Sequence, residues 1–156
     1  MVFRRATAAD IPSIGKLLLQ VHDVHATGRP DIFKKGQRKY SDAELAQILA
    51  SEAPVFVATD DEGRVLGHAF CLWKCISGAD NLCDRRELYI DDICVDENQR
   101  GKGVGAFLYE GVHAYAEEQR ADAITLSVWC LNEGALHFYE KCGMTPLKVI
   151  MEQKLK

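Results

Sequence analysis

The stretch Y-I-D-D-I-C-V-D-E-N-Q-R-G-K-G-V-G, Tyr89 to Gly105, constrains the fold more than any other part of the chain. An apolar, β-prone run passes through a short charged gap into three closely spaced glycines. The residues after Gly105 carry Phe107, Leu108, Val112 and Tyr115 at helical spacing. A strand, a glycine turn and a helix in that order form the first half of a strand–helix–strand crossover. Ala123–Leu131, A-I-T-L-S-V-W-C-L, supplies the returning strand, rich in branched and aromatic residues.

Upstream, Val2–Ala6 reads as a short strand. Thr7 and Asp10 offer caps for a helix bearing Ile11, Ile14, Leu17, Leu18 and Val21, which ends before Gly28 and Pro30. S-D-A-E at Ser41–Glu44 is a capping box opening a second helix. P-V-F-V-A-T, the turn D-D-E-G and R-V-L-G-H-A-F-C-L-W form a hairpin, followed by the strand Glu87–Val95. Asn132 caps a last helix closed by Gly143, and L-K-V-I-M-E-Q-K-L reads as an alternating, half-exposed final strand. The order β-α-α-β-β-β-α-β-α-β predicts an α/β fold, a mixed central sheet flanked by about four helices. With 156 residues and no repeat or linker, the whole of 1–156 is expected to be one domain.

Composition removes several classes. Hydrophobic residues make up 47%, enough for a packed core, and a net charge of −4 argues against general nucleic-acid binding. The densest basic run, Lys34–Lys39, lacks interleaved aromatics and reads as a solvated loop. Nothing approaches the apolar length of a membrane span. Six cysteines without a C-x-x-C pair, behind an N-terminus without a signal-like apolar run, are expected to be reduced thiols of a cytoplasmic protein, mostly packed as small apolar groups. His22 and His25 share a helix face but have no third ligand in view, so no metal is expected.

Three templates compete for the glycines. A Walker turn needs Ser or Thr after its lysine, and Gly103 follows Lys102. The dinucleotide fingerprint is met by Gly101-x-Gly103-x-x-Ala106, but its glycine should follow the strand directly, and D-E-N-Q-R intervenes. The third is Q/R-x-x-G-x-G/A, met by Gln99 and Arg100-Gly101-Lys102-Gly103-Val104-Gly105. Glycines let the backbone approach a pyrophosphate, and a helix N-terminus supplies free N–H groups and the positive dipole end.

This third pattern resembles the acetyl-CoA-binding motif of the GNAT superfamily of N-acetyltransferases. The likeness extends through N-E-G-A-L-H-F-Y-E-K-C-G-M and covers Glu87–Met144. It implies acetyl-CoA as cosubstrate, direct attack by an amine in a ternary complex, and Tyr139 as the acid that protonates the departing thiolate. It further implies that the backbone of Ile93, Cys94 and Val95 pairs with the pantetheine arm, that Asn132 also meets CoA, and that assembly as a homodimer is common. Cys94 as a nucleophile is conceivable but unnecessary, since the amine can attack directly.

Within that resemblance, Y-I-D-D-I-C-V is similar to the diamine and polyamine branch. Asp91 is then the expected base, through water, and Asp92 a brace for a neighbouring loop. Strand alternation would send the two side chains to opposite faces. Glu87, at the strand mouth, is a weaker candidate for attracting the amine. His22, His25, Arg29 and Phe33 are expected either to line the acceptor site or to order the loop after the first helix. The expected acceptor is a small cationic amine. A peptide or protein amine is the alternative, and a non-catalytic acyl-CoA sensor the rival of another class.

Overall fold

In the computed structural model, which describes residues 1–155, the sheet has the order β1-β2-β3-β4-β5. β1 is Val2–Arg5, β2 Val55–Thr59, β3 Val65–Ile76, β4 Arg85–Val95 and β5 Ala123–Leu126. The first three pairings are antiparallel, as hairpins permit, and β4 pairs with β5 in parallel. A parallel neighbour requires a crossover, and the helix α3, Val104–Glu118, provides it.

Helices α1 (Ile11–Gly28) and α2 (Asp42–Ala50) cover one face. There Ile14, Leu18 and Leu45 pack on Val55, Val57 and Phe70. On the other face Tyr109, Val112 and Ala116 of α3 meet Phe56, Ala69, Cys71, Leu88 and Ile90. All five residues of β2 are buried, which is why V-F-V-A runs apolar without alternation up to Thr59. α4, Glu133–Lys141, lies at the β5 end, with Phe138 packed into the α3-side core. The α/β class, mixed sheet and four helices expected from the sequence are all present.

The capping box at Ser41 forms as read, with Glu44 N–H donating to the Ser41 hydroxyl and the Ser41 N–H to Glu44. Thr7 and Asp10 stand at the caps as read, Asp10 immediately before α1, but the Asp10 side chain bonds backward rather than to an α1 amide. Its carboxylate accepts a two-pronged bond from Arg4, both contacts 2.8 Å, and one from the Thr7 N–H, tying β1 to the start of α1. The Arg4 guanidinium holds the Asp10 carboxyl below the usual carboxylate range. Such a depressed group stabilises the fold above the ordinary aspartate pKa, and that stability is lost as pH falls through the folded value. Asp10→Asn should cost about 1–2 kcal/mol, since Arg4 is partly solvated, and the difference from the parent should vanish in acid. Thermal unfolding at neutral and acid pH checks both parts.

Two expected strands are shorter or missing. β5 stops at Leu126, and Ser127–Leu131 is irregular. Residues 145–155 form no strand; Leu147, Val149, Ile150 and Met151 remain exposed. Alternation supplies a face but not a partner edge, and this segment is held instead by Arg29–Glu152 and Lys154–Asp31 ion pairs, each 2.9 Å, beside the end of α1. No helix among the described residues is long and apolar enough to cross a membrane.

Candidate active site

The site begins where the sheet parts. β4 pairs with β3 over its whole length but with β5 only from Glu87 to Ile90. Asp91–Val95 therefore have no strand neighbour on the β5 side. An open flank of extended backbone can accept another extended segment by strand addition. Ile93, Cys94 and Val95, the residues expected to meet the pantetheine arm, lie on this flank.

At the head of the gap the β3–β4 register shifts: Phe70 faces Asp92, and Cys71 faces Ile90. Asp91 is the extra residue of a β-bulge, which re-aims a side chain relative to simple alternation. Ile90 and Ile93 point into the α3-side core. Asp91 and Asp92 both turn toward the α1–α2 side. Asp91 accepts from Tyr40 at 2.9 Å and Asp92 from His68 at 3.4 Å, and both rings pack on Phe70, with centroids 5.7 and 5.1 Å away. The expectation of opposite faces is thus corrected, because alternation holds only for an unbulged strand.

The loop-bracing role expected of Asp92 also moves. Asp91 carries it: one carboxylate oxygen meets both Lys39 Nζ, at 2.6 Å, and the Tyr40 hydroxyl. The basic run Lys34–Lys39 is accordingly not wholly solvated. Asp92 has the buried His68 as its partner, and the other ring nitrogen of that histidine has no hydrogen bond.

Tyr139, on α4, is 9% exposed, and burial, with the nearby Asp92 charge second, pushes its phenol well above its ordinary pKa. It stays protonated throughout the physiological range, as an acid must before it acts. Cys94 is buried, its thiol donating to the Leu17 carbonyl at 3.4 Å, and burial raises its pKa to about 12. A thiol so held is a poor nucleophile at neutral pH.

The glycine turn closes the other end of the gap. Gly101 and Gly103 have φ of 74° and 82°, left-handed values that favour glycine, and a side chain at either would meet nothing within 4 Å. Gly103 caps α3 without a side-chain bond. The first intrahelical bond runs from Phe107 N–H to the Gly103 carbonyl, leaving the N–H groups of Val104, Gly105 and Ala106 at the end of the helix. Lys102 Nζ folds back to the Asn98 carbonyl and Gln99, and Arg100 Nε reaches the Val95 carbonyl at 3.4 Å. Open backbone, unpaired amides and two cations suit a diphosphate. Gly105 lies against Phe138, so the turn and α4 are packed together. Asn132 accepts from the Ala135 N–H at 3.1 Å as the α4 cap.

A cavity of about 100 Å³ lies between the end of α1 and the segment after β5, lined by His25, Arg29, Phe33, Trp129, Leu131 and Asn132, among others. Phe33 stands 5.2 Å from His25 and 5.4 Å from Trp129, centroid to centroid. Burial lowers the His25 pKa, so its ring is neutral at pH 7. His22 donates to the Lys34 carbonyl at 2.7 Å and orders the loop. Arg29 is engaged by Asp31 and Glu152. Glu87 is not part of this assembly. It sits at the paired end of β4, four residues or roughly 13 Å before Asp91, bound to Thr125 and Arg85. Lys39, Tyr40, His68 and Trp129 were not singled out from the sequence. Only a histidine inside the apolar run L-G-H-A-F hinted at one of them.

The six cysteines are unpaired; Cys71 and Cys94 are buried, but Cys75, Cys83 and Cys130 are exposed, so the expected apolar packing holds for only part of the set.

Comparison with known proteins agrees with this geometry. Residues 19–144 match the model of the acetyltransferase (GNAT) family. An uncharacterized N-acetyltransferase of Methanocaldococcus jannaschii is 30% identical over 114 residues, 73% of this chain and 49% of the relative. The mycothiol acetyltransferase of Propionibacterium freudenreichii is 32% identical over 101 residues, 65% of this chain and 30% of that protein. The chain thus spans about half the length of the first of these curated relatives and less of the second. Among solved structures, a single-site mutant of a Bacillus halodurans protein superposes with a TM-score of 0.96 at 30% identity, covering all of both chains. An aminoglycoside acetyltransferase from an uncultured soil sample, solved with sisomicin, shares the fold, with a TM-score of 0.69 at 18% identity over 99% of this chain and 96% of that one. A strand that parts from its neighbour above a glycine turn, with a buried tyrosine alongside, accompanies a family match over most of the sequence: the chain belongs to the GNAT family of acetyltransferases.

Proposed function

We propose that this chain transfers an acetyl group from acetyl-CoA to the primary amine of a small cationic molecule, by direct attack in a ternary complex. The observation that carries the reading is the gap beyond Ile90 and Leu126, with carboxylates at its head, the glycine turn at its foot and Tyr139 beside it. The turn Arg100–Gly105 and the Val104–Ala106 amides hold the diphosphate, and the β4 backbone at Ile93–Val95 takes the pantetheine arm. Acetyl-CoA supplies the activated thioester.

The chain's own groups supply the rest. An amine of pKa near 10 is mostly ammonium at pH 7, and freeing it costs roughly 4 kcal/mol. Asp91, at the head of the gap, is the base that receives that proton through water. A backbone N–H of β4 faces the developing oxyanion. Tyr139 donates its proton to the sulfur. Burial, and second to it the negative charge of Asp92, which is paired with His68, keep the phenol protonated until then. The cavity walled by His25, Phe33 and Trp129 holds the body of the acceptor, where ring faces favour a cation.

Asp91→Asn should lower turnover about a hundredfold at neutral pH, with the deficit shrinking as pH approaches the pKa of the amine. A pH–rate profile identical to the parent's rejects Asp91 as base. A panel of mono-, di- and polyamines and lysine peptides, assayed by CoA release, tests the acceptor class. Turnover confined to peptides would transfer the reading to a peptide N-acetyltransferase.

A further inference from the structure

One contact goes beyond the transfer reaction itself. Residues 29–41, between α1 and α2, carry no helix or strand, and this loop delivers a primary amine of the chain to the head of the gap. Lys39 Nζ lies 2.6 Å from Asp91 Oδ2, the shortest ion pair to either aspartate of the bulge. Asp91 is the first residue past the last β4–β5 pair, and on the transfer reading acceptor and donor meet there. The Lys39 side chain is 43% exposed, and Tyr40 grips the same carboxylate oxygen at 2.9 Å, fixing the loop in that position. A lysine ammonium against the base of an amine acetyltransferase has the chemistry of its cationic acceptor.

We propose that Lys39 is an acetylation site of this chain, modified in cis by its own active site. The inference rests on the acetyl-transfer reading above and adds an acceptor to it. The ammonium gives one proton to Asp91 Oδ2, which passes it to water. The freed Nζ lone pair attacks the thioester carbonyl carbon. As the N–C bond forms the C–S bond breaks, the attacking nitrogen loses its second proton to water, and the CoA thiolate takes the proton of Tyr139, which water then replaces. One lysine ammonium and one acetyl-CoA give Nε-acetyl-Lys39, free CoA thiol and one proton. The acetylated side chain has no positive charge, so its ion pair with Asp91 is lost and the carboxylate is left to an external amine.

The test is intact-mass analysis and peptide mapping of the purified chain after incubation with acetyl-CoA, over a range of protein concentrations. Exposed Lys34 and Lys35 on the same loop serve as references for chemical acetylation. Expected is a single acetyl group on Lys39, added at a per-molecule rate independent of protein concentration. That rate falls about a hundredfold in Tyr139→Phe, and the modification is absent in Lys39→Arg. A rate proportional to concentration, a rate unchanged in Tyr139→Phe, or labelling of Lys39 no faster than of Lys34 each overturns the proposal. Small amines are assayed in the same preparation. An unmodified Lys39 alongside active amine turnover overturns this inference alone, whereas loss of both overturns the transfer reading with it.

Discussion

Tyr139→Phe is expected to bind acetyl-CoA with the parent's affinity and to turn over about a hundred times more slowly, or worse. The substitution removes one oxygen and keeps the ring that packs on Phe138, centroids 5.2 Å apart, so the fold is preserved. What disappears, on the proposed mechanism, is the proton for the leaving sulfur. Burial, with the Asp92 charge second, raises the pKa of that phenol, so the proton stays on it across the physiological range. Acetyl-CoA affinity from calorimetry and kcat from CoA release separate the two effects. Equal turnover in parent and variant would remove Tyr139 as the acid. Parent and variant binding equally with no turnover in either would favour an acyl-CoA sensor.

Gly103→Trp is expected to abolish acetyl-CoA binding at concentrations that saturate the parent. Two causes act together. The left-handed φ of 82° is strained for any residue with a Cβ. An indole would also fill the open space beside Gly103, at the start of α3 where the proposed diphosphate site lies. Loss of two charge-assisted hydrogen bonds, at about 1.5–3 kcal/mol each, corresponds to an affinity loss of about a hundredfold to ten-thousandfold. Gly103→Ala carries only the backbone strain and should bind detectably, with a similar Tm shift. Undiminished binding in the tryptophan variant removes the phosphate turn.

Much of this protein was legible in one dimension because its signals are local. The glycine turn, the α2 capping box, the Asn132 cap and the helix periodicities depend on neighbours within a few residues. So does the motif around Tyr139, which extended the family resemblance begun at the glycine turn. The C-terminal segment failed the same reading, because strand formation is decided by an available edge, and alternation in L-K-V-I-M-E-Q-K-L says nothing of one.

The twin aspartates mark the boundary most clearly. Sequence determined that two acids stand on β4 just before the gap, and strand alternation then assigned them opposite faces. The β-bulge against Phe70 placed both on the α1–α2 side, where Asp91 meets Lys39 and Tyr40, and Asp92 meets His68. A bulge is a property of the pairing between two strands and leaves no mark in either one alone. Lys39 lies 52 positions from Asp91, and the approach of two groups so far apart is set by how α1, α2 and the sheet pack together. The chemical types in the site were thus written in the sequence, while their partners and directions came from tertiary packing.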